Sequence, residues 1–490
     1  MQKMVVLVAT IGALLTGCTF GPDYQRPALQ VPAQHRDAEP SAPGQEAVSL
    51  ADLQWFAVFQ DERLQALVRT ALENNYDMRI AAARVLEAAA QLGVTRSFLL
   101  PTIDGTAGVA RQRVSQENFI PIPSGVSPVG NAFALGLALN WEVDVWGRIR
   151  RETEAARAEL LSTEWGRRAV LVTVISQVAS AYFALRDLDS ELEIAQRTLA
   201  SRQKSLRLTQ LRLERGVSTG LEVRQAETLV YGAAATIPDL ERQIVQTENA
   251  IRLLLAQPPG EILRGRDLTE QPIPPEIPAG LPAALLDRRP DIRASEELLV
   301  AANAQIGAAK ALYFPRISIT GLLGIESAEL SNFVKSRALA WSIGADALQP
   351  IFNYGRIRSI NAATQARYLQ LLVQYEQTIQ TSFREVSDAL IGYYKTREQR
   401  VQQELLVGAQ QGRTVLANKR FFGGLDTYLQ VLDAERDLFE AELNLSRLQR
   451  DELLNLVGLY RALGGGWESV TTTADARAGS AALVKPASGQ

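Results

Sequence analysis

The sequence predicts a mainly α-helical chain with a smaller membrane-type β component, written twice. Three observations predict it. The first is an internal repeat. Trp146-Gly147-Arg148-Ile149-Arg150 returns 208 positions later as Tyr354-Gly355-Arg356-Ile357-Arg358. The same shift pairs Ala226-Glu227 with Ala434-Glu435 and Gly216 with Gly424, with no gap from about 141–255 against 349–463. Earlier in each half a shift of 214 pairs Asp77, Arg79, Gln91, Gly93 and Pro101 with Asp291, Arg293, Gln305, Gly307 and Pro315. A duplication of this length means that each half builds one similar unit, with function where the units meet. The second observation is a pair of alternating segments near the start of each half. The third is a very long proline-free stretch after each pair.

Taken in order, the chain opens on a leader at 1–17. Met1-Gln2-Lys3 is a positive n-region and 5–15 is apolar, too short to cross a bilayer. Leu15-Thr16-Gly17-Cys18 resembles a bacterial lipobox, and Cys18 is the only cysteine. That predicts an N-acyl and diacylglycerol lipid on Cys18, and Thr19 in place of Asp points to the outer membrane. An acyl chain contributes about 0.8 kcal/mol per buried methylene, so stable anchoring takes a second membrane contact. An arm follows at 18–60, extended by Pro22, Pro27 and later prolines. Residues 61–97 read as helix, stopped by Pro101.

Strands follow at about 103–115 and 131–142. Phe133, Leu135, Leu137, Leu139 and Trp141 alternate with small residues, and a Pro/Ser/Gly-rich loop separates the two segments. The second half repeats this at 316–326 and 338–348. Segments of about ten alternating residues suit membrane strands, with Trp141, Trp146, Phe314 and Trp341 as interfacial aromatics. A helix at 150–215 would run roughly 100 Å. Its stripe of Leu188, Leu192, Ala195, Leu199, Leu206 and Leu213 is interrupted by Arg202 and Thr209. The returning helix keeps the rhythm through Val230, Ala234, Ile237, Ile244, Ile251 and Leu255, interrupted by Glu241 and Glu248. This predicts an antiparallel coiled-coil hairpin over about 150–255, kinked at Pro238, and a second over 357–463. The first repeat is thus 61–257 and the second 283–467. A Pro-rich joint lies at 258–282 and a flexible tail at 468–490.

Composition narrows function. The net charge is −3, which leaves no basic footprint for nucleic acid. One histidine, His35, and three methionines argue against histidine catalysis and soft-metal relay. No catalytic constellation, metal site or cofactor beyond the lipid is expected. After the leader no apolar run of about 18 residues is expected, hence no membrane-crossing helix.

Four strands cannot close a barrel, and an open edge in lipid leaves backbone groups unpaired. A dimer would give eight strands with a filled interior, a trimer twelve with room for a lumen. Together with Gly21-Pro22-Asp23-Tyr24-Gln25-Arg26-Pro27 after the lipobox, the run Phe422-Gly423-Gly424-Leu425-Asp426-Thr427-Tyr428-Leu429 and the closing Gly464-Gly465-Gly466-Trp467, these features resemble the TolC family of outer-membrane factors, most closely its OprM-like lipoprotein branch. The resemblance implies a homotrimer with a twelve-stranded β-barrel joined to an α-helical periplasmic tunnel. It implies an exit duct of a tripartite efflux system for drugs or other small toxic compounds, with a periplasmic adaptor and an inner-membrane transporter of the RND type as partners. By position, Leu429 and Asp433 match the residues that ring the periplasmic entrance in that branch, with Gln430, Asp426 and Glu222 as further gate candidates. Gly216, Val217, Ser218 and Thr219, matched by Gly424, Leu425 and Thr427, are the expected adaptor contact. A protein-secretion duct and a structural outer-membrane spacer are the rival readings.

Overall fold

The computed structural model describes residues 19–29, 31, 32, 34, 36, 50–115, 125, 127–271 and 282–467. The leader, Cys18, most of the first interstrand loop, part of the joint and the tail lie outside the described residues. Helices α1 (Glu62–Asn74) and α2 (Tyr76–Ser97) precede strands β1 (Thr102–Arg113) and β2 (Val129–Val143). Helices α3 (Arg148–Glu214) and α4 (Gly220–Leu254) complete the first half. The second half runs α5 (Pro290–Ala311), β3 (Arg316–Ser327), β4 (Leu339–Leu348), α6 (Arg356–Phe422) and α7 (Tyr428–Ala462). Helices α3 and α6 have 67 residues each, and α4 and α7 have 35 each.

The compact units are not the sequence repeats. One unit gathers residues 1–28, 84–163 and 295–375, and the other 29–83, 164–294 and 376–490. The first holds a four-stranded antiparallel sheet in the order β1-β2-β3-β4, so the two hairpins join through β2 and β3. Its outer strands β1 and β4 are exposed along nearly all of their length, including Val109, Trp341 and Ile343, while the middle strands β2 and β3 are largely half-buried. Where Gly136 faces Gly324, a Cβ on Gly324 would lie 2.5 Å from the Leu135 carbonyl oxygen, so the close approach of β2 and β3 requires glycine.

An extended arm straps this unit. The Phe20 ring stacks on Phe314 at 4.3 Å, and Phe314 stacks on Trp146 at 5.0 Å. Arg151 donates to Asp23 at 2.9 Å, and Arg26 forms two 2.7 Å bonds to the Glu296 carboxylate. The fork matches a carboxylate in both distance and plane. Gly307 is needed here, because a Cβ would sit 2.5 Å from the Phe20 carbonyl oxygen.

Three expectations need correction. Residues 61–97 are two helices, not one. Asn75 leaves helical geometry (φ −52°, ψ 138°), and its side-chain oxygen accepts from the Asp77 and Met78 amides while its amide donates to the Leu254 carbonyl. A capping side chain inside a helical pattern thus divides it. Second, α3 does contain an 18-residue stretch long and apolar enough to cross a membrane, of which 56% is buried within the chain. Val172, Ile175, Val178, Ala179 and Tyr182 form core there, so the stretch is apolar because it packs. Third, the stripe and its interruptions do not sort by burial, since Glu241 is exposed but the other three interruptions are not. Arg202, Thr209 and Glu248 are buried, whereas Leu213 on the proposed stripe is exposed. The closest helix backbones are those of α4 and α7, the returning helices of the two halves, rather than the arms of one hairpin. Pro238 lies inside α4 without interrupting it.

In the second unit Asp61 is a hub. It caps α1 by accepting from the Arg63 and Leu64 amides, and it also accepts from the Tyr182 hydroxyl, the Arg266 amide and the Gln271 amide group. Burial alone would raise its pKa, but these hydrogen bonds outweigh burial and hold the carboxyl below its ordinary value.

Candidate functional site at the helical turns

Each hairpin ends in a tight turn of the same design. Gly216 and Gly424 have φ +72° and +74°, the left-handed region where a side chain costs most. In the first turn the Val217 amide donates to Arg212 and the Gly216 amide to Leu213, both at 2.9 Å. In the second, Leu425 donates to Arg420 at 2.9 Å and Gly424 to Phe421 at 3.0 Å. This paired pattern is the Schellman ending of a helix.

The next helix starts differently in the two turns. Thr219 accepts from the Glu222 amide at 3.3 Å, and the Glu222 carboxylate accepts from the Thr219 amide at 2.8 Å, a complete capping box. The Ser218 hydroxyl also donates to Glu222. Glu222, a gate candidate from sequence, is therefore engaged in its own helix start. At the matching position Gln430 replaces Glu222, and Thr427 makes no side-chain cap bond. The charge there lies in Asp426, which pairs with Arg420 and is held below its ordinary pKa by that hydrogen bond.

The turns sit side by side over a shared apolar cluster. Ala226 from α4 packs with Ala417, Phe421, Tyr428, Val431 and Ala434, flanked by Leu206, Phe422 and Leu432. The Arg212 guanidinium lies 5.0 Å from the Phe421 ring centre and donates to the Phe422 carbonyl. On α7, Tyr428, Val431 and Ala434 face inward. Leu429, Asp433 and Arg436 follow at i, i+4 and i+7 on another face, with Leu429 48% exposed and Arg436 exposed. Asp433 is half-buried and lies 3.5 Å from Arg436. Gln430 is exposed beside it. Val217 and Leu425, both in the expected adaptor contact, are exposed at the turn tips.

Sequence reasoning missed the residues that hold this stripe in place. Arg202 is 4% exposed. It donates to the Leu229 carbonyl and to the Glu435 carbonyl, both at 2.9 Å, and lies 5.0 Å from the Phe439 ring centre. Its contact with the Glu435 carboxylate is 3.9 Å, an ion pair too long for a hydrogen bond. Burial pushes the Glu435 carboxyl above its ordinary pKa despite Arg202 nearby. Arg413 donates to Asp437 at 2.7 Å, one turn beyond Asp433. The signal for Glu435 was present, since Ala434-Glu435 is one of the duplicated pairs. Among the described residues no group of three His, Cys, Asp or Glu side chains is placed to hold a metal ion.

The profile of the outer membrane efflux protein family matches residues 67–257 and 281–465, which is most of the chain. The chain belongs to that family. The solvent efflux pump outer membrane protein SrpC of Pseudomonas putida is 38% identical over 457 residues, covering 93% of this chain and 96% of that protein. The cation efflux system protein CusC of Escherichia coli is 33% identical over 469 residues, covering 96% and 100%. The solved structure of the outer-membrane channel OprN aligns with a TM-score of 0.85 at 31% identity, over 92% of this chain and all of that one. This outer membrane efflux protein thus has the fold of an outer-membrane channel, and the paired turns described above belong to its helical end.

Proposed function

We propose that three copies of this chain form a lipid-anchored exit duct for small toxic compounds. The observation that carries the reading is the sheet, four antiparallel strands whose exposed outer members, β1 and β4, have no partner on one side among the described residues. Such edges in a bilayer must be paired, and three copies give twelve strands around a lumen. A diacylglycerol and N-acyl lipid on Cys18 would supply the second anchor. The turns at 215–221 and 423–429 would meet a periplasmic adaptor through Gly216, Val217, Ser218, Thr219, Gly424, Leu425 and Thr427. The adaptor would join the duct to an RND-type inner-membrane pump.

Three copies of the α7 stripe around an axis make an apolar ring of Leu429 and a charged ring of Asp433, with Gln430, Asp426 and Glu222 near it. An apolar constriction excludes water and a carboxylate ring favours cations, two ways in which pores are gated. Adaptor binding would bias a two-state opening of these turns. Relatives named for solvent and cation efflux support a duct whose cargo is set by its pump.

Sedimentation of the detergent-purified protein, with bound detergent subtracted, tests the assembly. A trimer that also conducts ions in planar bilayers is the expected result. A stable monomer would overturn the barrel and the gate together.

A further inference from the structure

The two faces of the sheet differ in chemistry. Residues paired across the ladders share a face, and the next residue along each strand lies on the other. Ile103, Leu139, Gly321 and Ile343 form one row, and Gly105, Leu137, Leu323 and Trp341 another row of the same face. On the opposite face Thr102 lines up with Asn140, Thr320 and Gly344. A membrane barrel turns the apolar face to lipid. On β2 that face is apolar from Phe133 to Val143. At about 3.4 Å per residue and a tilt of about 40° this gives roughly 25 Å, the height of an outer-membrane band.

The helices join the sheet at one end, and the arm that follows Cys18 is strapped there through Phe20 on Phe314. The hairpin ends therefore point to the exterior. At that outer end β1 continues past Val109 with Arg111 and Arg113, still on the lipid side. They lie about 7 and 14 Å along the strand beyond the Val109–Phe133 pair, at the level of lipid headgroups. Arg337 lies just before β4 at the same end. All three are exposed, and among the described residues none is held in an ion pair. The carboxylates nearby point elsewhere. Glu326 pairs with Ala134 on the polar face, and Glu329 accepts from Ser331 and Asn332. The second repeat has Ile325 and Ser327 where β1 has the two arginines, so the strand itself does not require them.

We propose that Arg111, Arg113 and Arg337 bind the phosphates of a phosphorylated glycolipid in the outer leaflet. This rests on the outer-membrane barrel proposed above and adds a lipid site to its rim. A guanidinium fork matches two phosphate oxygens, and basic side chains at headgroup level attract anionic lipid. The same face supplies a place for an acyl chain. Below the arginines, the small Gly105 and Ala107 open an apolar groove of about 490 Å³ against Leu135, Leu137, Leu323 and Leu339. Cations above an apolar groove fit a lipid rather than a free anion.

Native mass spectrometry of the full-length lipoprotein in detergent tests this with three probes: bis-phosphorylated lipid A, the same lipid without phosphates, and phosphatidylglycerol. Bis-phosphorylated lipid A is expected to bind about tenfold more tightly than either of the others. Arg111→Gln with Arg113→Gln is expected to weaken it about tenfold, and Arg337→Gln to weaken it further. Arg96→Gln, near the end of α2, should leave it unchanged. Gly105→Leu, where a Cβ meets nothing, is expected to weaken both forms of lipid A by the same factor. Equal binding of the phosphate-free lipid, or by wild type and the double variant, overturns the phosphate site. Equal binding of phosphatidylglycerol overturns the choice of a glycolipid, and full binding by Gly105→Leu overturns the groove. These comparisons are made on protein that sediments as a trimer and conducts ions. A wild type that does neither overturns the barrel rather than its rim.

Discussion

Arg202 sits where the sequence pattern calls for an apolar side chain, and it satisfies two buried carbonyls from two different helices. Both carbonyls also accept an amide within their own helices, so Arg202→Ala would cost the two charge-assisted hydrogen bonds, about 1.5–3 kcal/mol each. A melt should therefore show a clear loss of stability, whereas Arg224→Ala, whose guanidinium is largely exposed, should change little. Glu435 beside it has a raised pKa from burial. The folded chain then holds a proton that the unfolded chain releases at lower pH. Its favourable contribution is complete below the ordinary carboxylate value and lost as pH rises through the raised one. Melts from about pH 4 to 7 should show wild type losing stability relative to Glu435→Gln, since Gln cannot titrate. Parallel pH curves would show that Glu435 does not carry this dependence. Asp433 belongs to a different kind of site, half-exposed and only loosely tied to Arg436. Asp433→Ala should leave the melt within about 1 kcal/mol of wild type but raise single-channel conductance, and unchanged conductance would remove Asp433 from the gate.

Strands and long helices were readable because their signals are periodic. Alternation over Phe133, Leu135 and Leu137, with Pro101 and Pro315 as stops, located the strands to within two residues. The break at Asn75 was hidden, since one capping side chain leaves the surrounding helical composition intact. The burial of Arg202 and Thr209 was not readable from the stripe, because their partners are backbone carbonyls: Leu229 and Glu435, distant in sequence, for Arg202, and Ser205, one turn back, for Thr209. The turns differ in a way that also needs coordinates. Thr219 and Glu222 close a capping box, whereas Thr427 and Gln430 do not. Thr219→Ala should cost about 1 kcal/mol and loosen the first turn in hydrogen exchange. Thr427→Ala should have a much smaller effect on the second, and equal effects would contradict the asymmetry.

For the molecule as a whole, the duplication was plain in the sequence, but the way the halves combine was not. Repeats at 61–257 and 283–467 suggest two bodies in series. The compact units instead each take segments from both repeats, because β2 of the first pairs with β3 of the second and α4 lies against α7. A chain truncated after residue 282 is expected to give no cooperative melt and to be digested throughout. A protease-resistant core in that fragment would show that the first half folds alone.

Interleaving sets an order of events during synthesis. The strap that holds Arg26 to Glu296 cannot close until 270 residues have followed Arg26. The sheet needs β4, and the second unit needs Trp467, which stands against Trp165 and the Arg288 carbonyl. Neither unit can therefore be completed until the second half has emerged. Long-range closure of this kind is slow and leaves apolar strands uncovered while it is incomplete. A nascent chain built this way depends on being escorted in an unfolded state until its last helix is made.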